Sequence, residues 1–468
     1  MTHELHQEWM QNHTFDELSI GQGATLVRTL TDADIAGFAA VSGDLNPTHL
    51  DDSYARSEGL AGKTAHGMWS GAMVSTMLGT VFPGPGTVYI EQRMRFLQPA
   101  HAGERLEIEV RVKALDPATH HVTLDCAVRR QGGPDVMLGE AVVKAPQQKQ
   151  RVPVANGLRL HVFDAAAGVQ RLLDRATRLD RLRCAIVHPC DVESLRGAME
   201  AARHDLFTPI IVAPKDRLLR IAEQAEIDLS GVELIDAAHS DAAAQKAAEL
   251  AATDVVQALM KGSLHTDELM KAVLARPELR TKRRLSHVFR FDVPTYHKPL
   301  LVTDAALNIE PSLEDKVHIV QNAIDLARVL GCTRPKVAVL AAVETVNPRM
   351  SATLDAAALC KMADRGQITD GIVDGPLAFD NAISLEAAKI KKIDSPVAGD
   401  PDILMVPDLV SGNILAKQLE YLGGAMVSGV VLGARVPIAL TSRADGATAR
   451  LASAALAVLV AHHGRKRV

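Results

Sequence analysis

The chain reads as two domains of different class: an α+β unit in which an antiparallel sheet covers one buried helix, then a larger, two-lobed α/β unit with mostly parallel sheets. Period-two runs between about Val88 and Val143 predict the first, and strict alternation of short apolar runs with Ala/Leu-rich stretches after residue 180 predicts the second. The polar stretch between them, with two prolines and no aromatic, predicts the boundary. A length of 468 residues agrees, because a typical domain takes roughly 150.

The elements follow in chain order. A helix begins near Thr31-Asp32 and ends at Ser42-Gly43. From Gly67 to Phe82 the residues are small and apolar nearly all round, which suits a helix wrapped by a sheet. The runs Tyr89–Phe96, Leu106–Val112 and His121–Val128 alternate with one polar face, as antiparallel strands do when they cover something on the other. Residues 14–145 form this unit, 146–157 the linker and 158–468 the larger unit. There, Cys184–His188, Pro209–Ala213, Val232–Ile235, Val255–Met260, Lys336–Leu340, Asp402–Val406 and Val427 to Leu440 read as strands with helices between them. About 310 residues is large for one such sheet, which predicts two lobes with a cleft.

Composition narrows the function classes. The formal charge of −5 lacks the basic excess that nucleic acid requires, and aromatics at 3% offer few stacking platforms. Five cysteines without a C-x-x-C pair signal neither a disulfide framework nor a zinc site, so reduced thiols are expected. The amino end carries acids where a signal peptide needs a basic start, and Leu451–Ala461 is far shorter than the roughly 20 residues of a spanning helix. A cytoplasmic protein without a membrane partner is the expectation.

In the first unit, Asp44 and His49 lie in one loop with Pro47 stiffening the turn between them. A carboxylate and an imidazole that close can share one water, as hydration of a double bond requires. Alone, the loop also reads as an Asx-turn with a surface histidine. Ala65-His66-Gly67-Met68 adds the N-terminus of the buried helix, where free N–H groups can hold a developing oxyanion. Together, Ser42-Gly43-Asp44-Leu45-Asn46-Pro47-Thr48-His49 and Ala65-His66-Gly67-Met68 resemble the MaoC-like (R)-specific enoyl-CoA hydratases of the hot-dog fold. The resemblance implies that Asp44 and His49 activate water for addition to a trans-2-enoyl thioester, that the Gly67 N–H holds the thioester oxygen, and that Ser70 assists.

The larger unit has no G-x-G-x-x-G after its first strand, no P-loop, no H-E-x-x-H and no G-x-S-x-G. It carries polar clusters where strands should end: Lys261-Gly262, Thr303–Asn308, Glu344–Arg349, Asp374–Asp380, Ser411-Gly412-Asn413 and Thr441–Asp445. Ligands of open α/β sheets bind outside the carboxyl ends of strands. Each cluster also has a plainer reading: Ser411-Gly412-Asn413 as an N-cap opening the helix Ile414–Tyr421, Thr441-Ser442-Arg443 as a cap of the last helix, Lys261 as a solvated turn.

Met405–Lys417, Gly429–Gly433 with Pro437, Ser442-Arg443 and Thr303–Asn308 resemble the phosphate acetyltransferase/phosphate butyryltransferase family, nearer the butyryl branch in Ser442-Arg443-Ala444-Asp445. The resemblance implies homodimers and reversible, metal-free acyl transfer between CoA and phosphate. It places Ser442 on the carbonyl oxygen and Arg443 on phosphate. The acid of acetyl-type members, seven residues after the serine, is replaced here by Ala449, which leaves Asp445 as the substitute base. Lys261, Asn308, Arg349 and Asn413 are the further candidates for lining the cleft.

The expectation is a bifunctional enzyme that takes CoA thioesters and inorganic phosphate as substrates, holds no tightly bound cofactor and no metal, and assembles as a homo-oligomer. Two alternatives stand beside it. The larger unit is a metal- and nicotinamide-dependent oxidoreductase, or the first unit is only an acyl-CoA-binding or oligomerising module.

Overall fold

The computed structural model describes residues 2–3, 9–154, 165–441 and 445–465, and the chain divides into two compact units, Met1–Val162 and Phe163–Val468.

In the first unit the strand Arg105–Asp116 turns Leu106, Ile108, Val110 and Val112 inward at alternate positions. It pairs antiparallel with Gly23–Thr29 on one side and His121–Arg130 on the other, followed by Asp135–Lys144 and the edge strand Val88–Phe96. Thr2–His3 adds a short parallel edge and completes a six-stranded sheet. Trp69, Met73 and Val74 of the helix Gly67–Thr76, with Met77 and Leu78 beyond it, bury themselves among the inward-facing sheet residues. This is the hot-dog arrangement, a central helix wrapped by a sheet.

The helix Asp32–Ser42 begins at a capping box between Thr31 and Asp34 and stops at Gly43 in a left-handed conformation, matching the Thr-Asp start and Ser-Gly end read from sequence. The stretch read as a linker, 146–157, differs from expectation in its first part. Arg151–Pro153 pairs antiparallel with Trp9–Gln11, and the Asn12 side chain binds the backbone at Gln148 and Gln150. These contacts use backbone groups, which side-chain polarity does not advertise. Residues 155–157 lie outside the described residues.

The second unit holds an eleven-stranded sheet. Glu233–Asp236, Phe207–Ala213, Leu182–Val187, Ala258–Lys261 and Ile438–Ala439 form one parallel block. Leu300–Thr303, Ile403–Met405, Lys336–Leu340 and Ile372–Leu377 form another. Between the blocks lie Met426–Leu432 and Ser286–Asp292, paired antiparallel with each other and with the neighbouring block on either side. The two blocks therefore run in opposite directions, as two lobes sharing one sheet.

Ser286–Asp292 carries no apolar run, which hid it from a hydrophobic pattern, yet every residue in it is buried. Partners make burial tolerable for Ser286, Arg290 and Asp292, whereas the His287 ring is buried with neither nitrogen hydrogen-bonded. Arg290 and Asp292 form a two-pronged ion pair, and Ser286 accepts from Asn322. Burial holds His287 neutral by pushing its pKa down to about 4 against the opposing pull of Asp304. The helix read as opening at Ser411 instead spans Leu409–Tyr421, with Asp408 as its N-cap accepting from the Ser411 N–H. An aspartate three residues before a serine is the stronger start signal.

The five cysteines are free thiols, and no helix among the described residues is long and apolar enough to cross a membrane.

Candidate active sites

In the first unit, Asn46 caps a single turn, Pro47–Leu50, by accepting from the Thr48 N–H, with Pro47 at its first position. The turn aims His49 at the chain before the buried helix, where His49 Nδ1 lies 2.8 Å from the Thr64 carbonyl oxygen. A carbonyl only accepts, so Nδ1 carries a proton, and in the neutral ring the lone pair is then on Nε2. The His66 ring stacks on His49 with centroids 3.7 Å apart, and its Nε2 lies 3.0 Å from the Asp44 carbonyl oxygen. The Asp44 carboxylate is exposed and 4.0 Å from His66 Nε2.

Asp44, His49 and His66 thus bring one potential ligand atom each within 4.8 Å of one another, a span that suits either one shared water or a cation. In the sequence motif Ala65-His66-Gly67-Met68 nothing announces a role for His66. Its function here is to tie the Asp44 loop to the His49 ring.

His66 is the N-cap of the central helix but supplies no side-chain cap, so the N–H groups at Gly67 and Met68 remain open to a ligand. A Cβ at Gly67 would press within 3.3 Å of the Phe96 ring, so glycine lets backbone and aromatic ring approach closely. A cavity of about 350 Å³ opens there, lined by His66, Gly67, Ser70, Phe96 and the chain to Ala100. Ser70 is buried on its wall. Asp44 and His49 do not line this cavity and reach it across His66.

In the second unit Lys261 and Thr303 close strands and Thr441 follows one, whereas Asp374 lies inside the strand Ile372–Leu377 and Ser411–Asn413 inside the helix Leu409–Tyr421. At the seam the strand ends overlap: Met260 pairs with Ala439, Ala439 with Val430, Val430 with Val288, and Val288 with Thr303. A cleft of about 660 Å³ opens at this seam. Lys261, His265, Leu440 and Thr441 line it from one block, Ala306, Asn413 and Lys417 from the other.

Of the predicted residues, Lys261 and Asn413 meet in this cleft. Lys261 is buried at the end of its strand, and Asn413 Nδ2 donates to the Ala305 carbonyl at 3.3 Å. Ser442 and Arg443 lie outside the described residues. Asp445 is buried just after them, and its charge reaches Lys417. Burial works against the Lys417 charge, but the Glu420 carboxylate and Asp445 outweigh it and raise the pKa.

Asn308 and Arg349 depart from the expectation that they line the cleft. Asn308 is occupied on every side, accepting from Arg284 Nε and donating to the Leu285 carbonyl and to Asp304. It borders a separate cavity of about 370 Å³ with Arg280, Arg283 and Arg284. Arg349 sits on an exposed loop whose backbone is held by Asn347. Asp304 is the hub of its cluster, accepting from the N–H groups of Ala306, Leu307 and His287 as well as from Asn308. Lys417 was missed as a lining residue, although one helical turn after Asn413 puts both on one face.

Comparison with known proteins agrees with this division. A family model described as phosphate acetyl/butyryl transferase matches residues 239–458, and one described as MaoC like domain matches residues 19–126. The phosphate acetyltransferase of Rickettsia prowazekii (strain Madrid E) is 56% identical over 301 residues, covering 64% of this chain and 86% of that protein. A probable phosphate butyryltransferase of Bacillus subtilis (strain 168) is 44% identical over 288 residues, covering 61% of this chain and 96% of that protein. Of these two, the more similar carries the acetyl name, against the lean toward the butyryl branch drawn from residues 442–445. The crystal structure of a branched-chain phosphotransacylase from Enterococcus faecalis V583 superposes with a TM-score of 0.54 at 32% identity, over 60% of this chain and 99% of that one.

Proposed function

Because the chain belongs to the phosphate acetyl/butyryltransferase family and carries a MaoC-like domain ahead of the transferase domain, we propose that it is a bifunctional enzyme of CoA thioesters. The first unit hydrates trans-2-enoyl-CoA to 3-hydroxyacyl-CoA. The second exchanges an acyl group reversibly between CoA and phosphate.

The observation that carries the hydratase reading is the His49 tautomer. With Nδ1–H fixed on the Thr64 carbonyl, Nε2 is free to take a proton from water beside the Asp44 carboxylate. The water oxygen adds to C3, and charge moves to the thioester oxygen, where the open N–H of Gly67 receives it. Return of a proton to C2 completes the addition.

For the transferase, the supporting observation is the seam cleft with two lysines, Lys261 and Lys417, on its walls. Cations there favour a phosphate anion, and the family resemblance assigns Arg443 to phosphate as well. A phosphate oxygen attacks the thioester carbonyl, Ser442 donates to the tetrahedral oxyanion, and the C–S bond breaks. Asp445, one charge contact from Lys417, is the candidate to manage the CoA thiol proton. CoA thioesters and phosphate enter as substrates, and no resident cofactor is invoked.

Crossed variants test the reading. Asp44→Ala is expected to lower crotonyl-CoA hydration by about 10²- to 10⁴-fold, the usual contribution of a general acid–base group, with phosphate-dependent thiol release unchanged. Ser442→Ala is expected to do the reverse. Hydration at the wild-type rate in Asp44→Ala would leave the first unit as a binding or oligomerising module. Absence of phosphate-dependent thiol release, together with nicotinamide reduction that a chelator abolishes, would favour the oxidoreductase alternative.

A further inference from the structure

We propose that the Thr441 hydroxyl is a catalytic hydrogen-bond donor to the reacting acyl carbonyl in the seam cleft, and that buried Arg450 is the positioning residue that aims and polarises it. The inference rests on the transferase reading of the second unit and adds to it a donor that the sequence clusters left as a helix cap.

Arg450, on the helix Ala447–Arg465, is 1% exposed and is the largest of the fully buried side chains. Taking a guanidinium out of water is costly, so a fold keeps one there only where it is held in a defined geometry. The geometry is defined by the helix Val192–Arg203. At Gly197 an added Cβ would fall 2.6 Å from Arg450 Cδ and 2.8 Å from its Cβ. Only glycine admits the side chain, and the close approach of the two helices confines it to one path.

That path ends on Thr441. Arg450 Nη1 donates to Thr441 Oγ1 at 3.0 Å. A guanidinium has donors only, so the threonine oxygen is the acceptor and its single O–H is left for another acceptor. Among the described residues no acceptor takes that proton. Thr441 is itself 4% exposed and lines the cleft beside Lys261, Asn413 and Lys417. A hydroxyl that accepts from a cation is a stronger donor than a free one, because each hydrogen bond polarises the next.

Acyl transfer needs such a donor at one moment. A phosphate oxygen bonds to the carbonyl carbon, the C=O electrons move onto the carbonyl oxygen, and the tetrahedral anion collapses as the C–S pair leaves with sulfur. The proton lost by hydrogen phosphate ends on the CoA thiol, and the Thr441 proton is shared with the oxyanion and returned when C=O re-forms. The lysines are suited to the phosphate, so the directed neutral donor is assigned to the acyl oxygen.

The test is steady-state kinetics of phosphate-dependent thiol release by the full-length protein, with acetyl-CoA or butyryl-CoA and inorganic phosphate both varied. Thr441→Val, which keeps the shape and removes the donor, should lower kcat by about 10²- to 10³-fold, as loss of one oxyanion donor does, with both KM values nearly unchanged. Thr441→Ser should recover most of the rate. Arg450→Met should fall between them in kcat. Because that buried position also bears on folding, the Ser/Val pair at 441 decides. Wild-type kcat in Thr441→Val, or a Thr441→Ser as impaired as the valine, overturns the proposal while the transferase reading stands. A wild-type protein that releases no thiol from either substrate overturns that reading and the proposal with it.

Discussion

At the scale of single residues, chemistry and position separate cleanly. The closeness of Asp44 to His49 and the place of Gly67 at a helix start were legible because both are local in sequence, and local geometry survives folding. Asn308 was misjudged for the opposite reason. Its contacts to Arg284 and Leu285 cross 24 and 23 residues of sequence, and no spacing rule announces them. A charged cluster at the amino ends of the second block makes a prediction of its own. Burial pushes the Asp400 carboxyl up, but Lys298 and Lys336 outweigh it and hold the pKa down at about 2. A carboxylate depressed in the folded state stabilises above its unfolded value of about 3.9 and loses that contribution as pH falls through the folded value. Asp400→Asn should therefore be less stable than wild type at neutral pH, with the gap closing between about pH 4 and pH 2. Acid-unfolding curves of the two proteins measure it, and a gap independent of pH would remove the electrostatic account.

At the scale of elements, the first unit was readable because its strands face the core on one side only, so Leu106, Ile108, Val110 and Val112 advertise it by alternation. The strand Ser286–Asp292 was not, because Arg290–Asp292 and Asn322–Ser286 satisfy polar groups that a pattern assigns to solvent. Truncating Leu106, which is fully buried against the central helix, should cost about 2–5 kcal/mol, the range for removing a large aliphatic side chain from a core. Denaturant unfolding of Leu106→Ala checks it. The corrected helix start gives a smaller expectation: Asp408→Ala should cost about 1 kcal/mol by freeing the Ser411 N–H, and Ser411→Ala should cost less, since its N–H keeps the cap. Equal losses for the two would return the start to Ser411.

At the scale of the molecule, the sequence told of two lobes but not of their opposed strand directions, because that reversal depends on two central antiparallel strands that pair, in sequence, across the whole second block of the sheet. The reversal is what places the carboxyl ends of both blocks at one cleft and so decides that Lys261 and Asn413 meet while Arg349 does not. Two unlike folds on one chain are expected to act on one substrate class by independent chemistry. The most direct measurement follows purified wild-type protein with crotonyl-CoA in two buffers, reading enoyl absorbance without phosphate and free thiol from acetyl-, butyryl- and crotonyl-CoA with it. The prediction is absorbance loss that needs no phosphate and thiol release that does. Absorbance stable in phosphate-free buffer, or thiol release indifferent to phosphate, would contradict it.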